Sequence, residues 1–89
     1  MTETPENRLR RLRMRSIRRG IREMDLILTD FSDRELAALD AEELDLYEDL
    51  LEENDHDIYG WISGRDPVPE RYAALVGRIA AGARGVTRP

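Results

Sequence analysis

The sequence contains no cysteine, which excludes disulfide bonds, thiolate metal ligands and a cysteine nucleophile. Its apolar runs are only a few residues long, far short of the roughly 20 residues that a membrane-spanning helix needs. The N-terminus also lacks the apolar core of a secretory signal, and we assign it to the mature fold. We therefore expect a soluble chain with no membrane insertion.

The length of 89 residues fits one small domain, residues 1–89, with about five flexible residues at each end and no second core. A large enclosed active site is therefore not expected. No serine has a paired base, and the sequence holds neither a glycine-rich phosphate loop nor zinc-ligand or EF-hand spacing. We predict a protein that is not an enzyme and holds no metal.

Lysine is absent as well, so all 14 basic residues are arginines. The net charge of −5 conceals an asymmetry, because residues 1–22 hold eight arginines and two acids, whereas residues 23–89 hold six arginines and seventeen acids. Such a charge dipole favours oriented docking on a partner. The arginine preference reflects either a genome rich in G and C or forked recognition of carboxylate or phosphate groups.

Apolar residues recur at helical spacing, and no alternating strand pattern is present. We predict an all-α fold, a small five-helix bundle with short links. Thr4 and Pro5 begin a first helix that runs to about Arg18. Its modest apolar stripe consists of Leu9, Leu12, Met14 and Ile17.

A second helix is predicted from Ile21 to about Leu39, continuous through residues 29–32, where Ser32 offers an alternative helix start. Asp40 and Glu43 follow the capping-box pattern and open a third helix to about residue 54. One face of this helix is strongly acidic and is interpreted as solvated or facing a partner. Its residues are Glu42, Asp45, Glu48, Asp49, Glu52 and Glu53.

Asp55 is predicted to cap a fourth helix that Gly64 ends. Two prolines then hold residues 65–69 in an extended loop, and Pro69 suits the first position of a last helix that reaches about Ala83. The only histidine, His56, lies between two aspartates at the start of the fourth helix. We interpret it as an exposed surface residue rather than a metal ligand, because a metal site needs further converging ligands.

Folding alone explains residues 16–28 poorly. Arginines four residues apart place like charges along one helix face, at a cost of about 0.2–0.5 kcal/mol per pair. Gly20 would cost about 1 kcal/mol inside a helix, so it indicates a break, a left-handed residue or a close backbone approach. Either the protein's own acidic face or an external partner must compensate. Arg19 and Glu23 form either a surface ion pair or part of a binding site.

Three segments, in this order and spacing, resemble the SdhE-type succinate dehydrogenase assembly factors, also called FAD assembly factors. The first is Arg-Arg-Gly-x-x-Glu-x-Asp at residues 18–25, the second is Asp-Ile-Tyr-x-Trp at 57–61, and the third is Pro-x-Pro-Glu at 67–70. The resemblance covers roughly residues 8–84. The chain departs from many relatives in its long arginine run and in lacking an aromatic residue just before the motif.

The resemblance implies a five-helix protein that binds the flavoprotein subunit of succinate dehydrogenase and, in some bacteria, of fumarate reductase. It implies that the factor promotes covalent attachment of FAD to a client histidine, is not the catalyst and holds no stably bound cofactor. The implied client-binding and flavinylation residues are Arg19, Gly20 and Glu23, with Arg18, Arg22 and Asp25 beside them. A second candidate interface comprises Asp57, Tyr59 and Trp61, whose aromatic rings are interpreted either as core or as interface.

We expect Gly20→Arg to abolish flavinylation while leaving the helical fold largely intact. The alternative function is a nucleic-acid-binding protein or a regulatory adaptor that uses the arginine-rich first helix. The acidic third helix disfavours nucleic acid, because it would repel a polyanion. We further expect a monomer, and a bacterial cytoplasmic location because the motif begins within twenty residues of Met1.

Overall fold

The computed structural model describes residues 3–17 and 19–83. Within these ranges the chain forms an all-α fold with no strand. Two short 3-10 turns, Leu36–Ala38 and Glu70–Tyr72, lie between the α-helices. The five α-helices are α1 Pro5–Ser16, α2 Arg22–Glu35, α3 Ala41–Leu51, α4 Asp55–Ser63 and α5 Ala73–Ala83. The predicted five-helix architecture is therefore confirmed for the described residues.

Several helix ends follow the predicted local chemistry. The Thr4 hydroxyl accepts a hydrogen bond from the amide of Asn7 at 3.2 Å, and Asp40 and Glu43 form the reciprocal capping box at 2.8 and 3.0 Å. Gly64 ends α4 in the left-handed region at φ 82°. These contacts satisfy backbone groups that the helix ends leave unpaired.

The second helix continues through residues 29–32 without a break, as predicted. Ser32 does not cap a new helix, since its hydroxyl donates to the carbonyl of Thr29 at 2.9 Å. The α-helix ends at Glu35, earlier than predicted, and the chain tightens into the 3-10 turn before Leu39 becomes extended. A 3-10 turn is a common way to end a helix and preserves much of its apolar spacing.

Other predicted boundaries were wrong. Asn54, not Asp55, caps α4, because its side chain accepts from the amide of His56 at 2.8 Å. The third helix accordingly ends at Leu51, before residue 54. Pro69 precedes the second 3-10 turn rather than opening α5, which begins at Ala73.

Buried side chains from all five helices form one hydrophobic core. Phe31 stacks on Tyr47 with ring centroids 5.6 Å apart. The Tyr47 hydroxyl is 2.6 Å from the Ser16 hydroxyl, which also donates to the carbonyl of Leu12 at 2.8 Å. Burial raises the pKa of Tyr47 to about 12, so this hydroxyl stays neutral in the core. The other core side chains are Leu12, Met24, Ile27, Leu28, Leu36, Leu39, Leu50, Leu51, Ile58, Tyr72, Leu75, Val76, Ile79 and Ala83.

The apolar stripe of α1 is narrower than predicted. Leu12 is fully buried, but the Met14 side chain is 65% exposed. Leu9 is only partly buried against the core. Met14 lies about 200° around a helix from Leu12, which explains why both cannot face the core. Apolar burial alone therefore attaches α1 weakly.

Charge pairs also join α1 to α3. Arg8 contacts Asp45 at 2.5 Å, and Arg15 contacts Glu52 at 2.8 Å. Between them Arg11 contacts Glu48 at 2.8 Å. Each pair joins residues 37 positions apart, so α1 and α3 run in parallel with their charged rows in register. A fourth pair, Arg19 and Asp55, follows at 2.8 Å. We call these four pairs the arginine row.

Glu48 lies at the centre of the arginine row. Its carboxylate also accepts from Arg8 at 3.3 Å. Hydrogen bonding by Arg11 holds the pKa of Glu48 below its usual value of 4.5. A carboxyl group whose folded-state pKa is lowered adds stability above its unfolded pKa, and this contribution is lost as the pH falls through the folded pKa.

We predict that Glu48→Gln lowers the free energy of unfolding at pH 7 by about 0.5–1 kcal/mol, the range for partly solvated ion pairs. This corresponds to a fall in Tm of about 2–8 °C for a domain of this size. Thermal unfolding followed by circular dichroism measures both. The difference from wild type should begin to shrink below pH 4.5, the ordinary pKa of the group in the unfolded chain, and should be lost as the pH falls through the lower folded-state pKa of Glu48.

The matched control is Glu42→Gln, which changes an exposed acid of the same helix that makes no ion pair among residues 3–17 and 19–83. Glu42 lies in the first turn of α3, where the helix dipole favours an acid, so this variant measures the loss of that interaction without an ion pair. No effect of Glu48→Gln at pH 7, or an effect independent of pH, would contradict a stabilising role for the arginine row.

Candidate functional site

The predicted motif lies in the short connection between α1 and α2. Gly20 is exposed and has φ +102°, a backbone conformation that residues with a Cβ rarely adopt. A Cβ built on Gly20 would meet nothing within 4 Å. Glycine is therefore required by the backbone turn rather than by crowding inside this chain.

Arg19 points inward from this turn. Its Nε donates to Oδ1 of Asp55 at 2.8 Å, and a terminal nitrogen donates to the carbonyl of Leu51 at 2.7 Å. A third hydrogen bond reaches the carbonyl of Arg15 at 3.3 Å. Only 13% of the Arg19 side chain is exposed. Its guanidinium is thus committed to α3 and α4, and the predicted pair with Glu23 is not formed.

Asp25 holds the turn from the side of α2. Its carboxylate accepts a hydrogen bond from the backbone amide of Arg19, and the residue is half-buried. Side chains of aspartate commonly stabilise turns by accepting from nearby backbone amides. Arg19 and Asp25, both predicted as client-binding residues, are therefore structural supports of the turn in this chain.

The remaining motif residues face outward. Arg22 and Glu23 are exposed at the start of α2, and their side chains make no hydrogen bond or ion pair within the described part of the chain. Leu26 lies one helical turn further and is 43% exposed. Residues three and four apart share a helix face, so these three side chains form one patch. We call Gly20, Arg22, Glu23 and Leu26 the motif surface.

The start of α2 violates two local preferences. Ile21 occupies the cap position and gives no side-chain hydrogen bond to the first turn, whereas a capping side chain commonly contributes about 1 kcal/mol. Arg22 places a positive charge at the positive end of the helix dipole. Local rules are most often broken where a surface serves a function, which marks the motif surface as the candidate site.

Arg18 lies outside the described residues. The second candidate interface lies on α4, whose first residue, Asp55, pairs with Arg19 of the motif. Tyr59 and Trp61 are half-buried and pack against the core, and the Trp61 ring stacks on Tyr72 with centroids 5.7 Å apart. Asp57 is exposed. The aromatic pair thus serves the core at least in part.

Acids of the same chain pair with most of the described arginines in residues 3–22. Besides the arginine row, Arg13 contacts Asp33 of α2 at 2.6 Å. The acidic face of α3, predicted to be solvated or to face a partner, instead meets α1 through three of its carboxylates. Among the described arginines of residues 3–22, Arg10 and Arg22 have no such partner. This removes most of the cations that nucleic-acid binding by α1 would use.

Neither metal binding nor a membrane span finds support in the described ranges. No group of three or more histidine, aspartate or glutamate side chains there could hold a metal ion, and His56 is exposed. None of the described helices is long and apolar enough to cross a membrane.

The partner of Arg19, Asp55, was not predicted from the sequence. Asp55 was interpreted as a helix cap, yet a readable signal existed in the charge spacing. Arginines at 8, 11, 15 and 19 are matched by acids at 45, 48, 52 and 55. The nearly constant offset is typical of two charged rows on parallel helices.

Comparison with known proteins agrees with the resemblance. A model of the family described as "Flavinator of succinate dehydrogenase" matches residues 10–83. "Succinate dehydrogenase assembly factor 2, mitochondrial" from Mycosarcoma maydis is 40% identical over 72 residues, covering 81% of this chain and 30% of the relative. The protein of the same name from Candida glabrata is 41% identical over 75 residues, covering 81% of this chain and 49% of the relative. "Succinate dehydrogenase assembly factor 2-B, mitochondrial" from Drosophila mojavensis is 40% identical over 72 residues, covering 79% of this chain and 46% of the relative.

The chain spans less than half the length of these relatives. Their names contradict the predicted bacterial cytoplasmic location, because all three are described as mitochondrial. That prediction was wrong because it relied on the distance of the motif from Met1, which carries no physical information about compartment.

We predict that Gly20→Ala lowers the free energy of unfolding by about 1–2 kcal/mol, because a Cβ strains the backbone at positive φ. Urea denaturation measures the change. The control is Gly77→Ala in α5, where a Cβ also meets nothing within 4 Å but φ is not positive. That substitution should raise stability by about 0.5–1 kcal/mol through helix propensity. Equal shifts of the two variants would show that the Gly20 turn does not require glycine.

Proposed function

The chain belongs to the family described as flavinators of succinate dehydrogenase, and we propose that it binds the flavoprotein subunit of that enzyme and promotes covalent attachment of FAD to it. Relatives named as succinate dehydrogenase assembly factors support this choice of client. In this proposal FAD belongs to the client, and the assembly factor holds no cofactor of its own.

The observation that carries the proposal is the motif surface. Arg22 and Glu23 present charges of opposite sign, side by side and without partners in the described chain. Long charged side chains lose conformational entropy when a partner orders them, but the turn beneath them is already fixed by Arg19 and Asp25. A partner therefore meets a preformed backbone.

Each residue of the motif surface has a distinct role in the proposed complex. The Arg22 guanidinium can donate two parallel hydrogen bonds to a client carboxylate. Glu23 can accept from a client arginine or backbone amide. Leu26 adds an apolar contact beside these charges, and Gly20 leaves room for client backbone to approach. Both charges gain strength when the interface excludes water.

The proposed mechanism is a shift of client conformation. The described chain presents no paired nucleophile and base near the motif surface, so the bond between flavin and client histidine is assigned to groups of the client. Binding would stabilise the client conformer in which the two reacting groups are adjacent. Correct placement alone can remove several kcal/mol from a reaction barrier. We therefore propose an assembly factor and not an enzyme.

We also propose that one monomer acts on one client subunit. Obligate homodimers bury large hydrophobic interfaces. In the described chain only Met14 and Leu26 are exposed large hydrophobic side chains, which is a small apolar area for a permanent dimer.

Gly20→Arg is less suitable as a test than predicted, because its φ of +102° strains any substituted residue. Substitutions at Arg22 and Glu23 avoid this problem. We predict that Arg22→Gln and Glu23→Gln each lower the yield of covalent flavin on the client about tenfold, the effect of an interface residue worth roughly 1.4 kcal/mol. Circular dichroism should show both variants folded.

The measurement is covalent flavin fluorescence of the client in a denaturing gel, in a strain lacking the factor and complemented with each variant. Arg10→Gln and Glu42→Gln make the same charge changes at exposed positions on α1 and α3 and should support wild-type yield. Wild-type yield from all four variants would reject the motif surface. Undiminished yield in the deletion strain would reject the proposed function itself.

A further inference from the structure

Asp55 is linked to the Gly20 turn through its hydrogen bond with Arg19. The inference drawn from this contact rests on the proposed function. We infer that Asp55 is a positioning residue for the client, and that it acts through Arg19 to hold the motif surface in its binding conformation. Arg19 itself is then a support beneath the interface rather than a client contact.

The Arg19–Asp55 pair differs from the other charge pairs of the arginine row in its burial. The side chains of Arg19 and Asp55 are 13% and 18% exposed. By contrast, the acids Asp45 and Glu52 elsewhere in the row are 70% and 72% exposed. Solvent screens the exposed pairs strongly, whereas a shielded charge-assisted hydrogen bond is stronger and directionally more restrictive. The pair therefore fixes a geometry as well as adding attraction.

Arg19 joins four helices at one residue. Its side chain reaches the carbonyl of Leu51 at the end of α3 and the carboxylate of Asp55 at the start of α4. It also reaches the carbonyl of Arg15 in α1. Its backbone amide is held by Asp25 of α2. The next residue is Gly20, so the position and direction of the turn follow directly from this junction.

Glycine makes such an anchor necessary. A glycine backbone has access to more conformations than any other residue, and the turn has no side-chain cap at Ile21 to restrict it. Without the Asp55 contact, the turn would sample other orientations and Arg22 and Glu23 would separate from their bound arrangement. A partner's apparent affinity falls in proportion to the population of the competent conformer.

A purely structural role for Asp55 makes a different prediction. It would lower stability without changing the affinity of the folded protein for its client. The neighbouring Arg15–Glu52 pair provides the comparison, because it joins the same two rows at 2.8 Å but does not reach the turn. Glu52→Ala removes one ion pair of the row, as Asp55→Ala does.

The test measures the Kd of the FAD-loaded succinate dehydrogenase flavoprotein for the full chain by isothermal titration calorimetry. The variants are Asp55→Ala, Arg19→Ala, their double mutant and Glu52→Ala, each measured where circular dichroism shows it folded. We expect Asp55→Ala to weaken binding about tenfold and Glu52→Ala to leave it within twofold of wild type. Arg19→Ala should weaken binding at least as much as Asp55→Ala, because it also loses the Leu51 hydrogen bond.

The double mutant tests whether Asp55 acts through Arg19. If it does, the double mutant should bind as Arg19→Ala does, because removing Asp55 has no further effect once Arg19 is absent. Wild-type affinity of folded Asp55→Ala, or losses that add in the double mutant, would overturn the inference.

Hydrogen exchange in the free protein supplies a second readout that needs no client. Asp55→Ala should speed exchange of the Arg19 amide about tenfold or more by loosening the turn, whereas Glu52→Ala should leave it unchanged. Unaltered exchange in Asp55→Ala would also overturn the inference. If the wild-type chain bound no flavoprotein, the proposed function would fail, and this exchange measurement would decide the role of Asp55 in the turn separately.

Discussion

The burial of Leu12 and the arginine row together set the position of α1, and the geometry of the motif surface depends most directly on the last pair of the row, Arg19 and Asp55. The helix buries few apolar side chains, with Leu12 the largest that is completely covered. Hydrophobic contact is non-directional. Such a small apolar area would therefore fix the register of α1 poorly. The 37-residue offset of the charge pairs does fix it. The same row continues to residue 19, so that Arg19 lies at the junction of α3 and α4.

That junction separates inward-facing from outward-facing side chains within one short motif. Arg19 and Asp25 face the protein and hold the turn. Arg22 and Glu23 face solvent and are free of partners in the described chain. Binding surfaces benefit from side chains placed on a rigid base, because less conformational freedom is then lost on association. The family resemblance implied client binding for both groups, because a motif in the sequence does not reveal which of its side chains face inward.

The fold was largely predictable because its signals are local. Helical periodicity located all five helices, and the Asp40–Glu43 capping box and Gly64 marked boundaries through hydrogen bonds and φ preferences that involve only neighbouring residues. The site was harder to predict because Asp55 serves a residue 36 positions away. Its cap-like position before an apolar run fitted a local role equally well. The prediction that Met14 belongs to the apolar stripe of α1 was wrong for a related reason. Apolar character does not reveal which side of a weakly amphipathic helix faces the core.

The same internal pairing changes what the charge asymmetry of the sequence means for recognition. Eight arginines against two acids in residues 1–22 suggest a strongly basic end that steers a partner over long distances. In the folded chain the acids of α3 lie against these arginines, so much of their field is cancelled at short range. Long-range steering depends on the summed field, whereas orientation at contact depends on individual groups. In the proposed complex, recognition would therefore rest on a few well-placed side chains, and their placement would matter more than the total number of arginines.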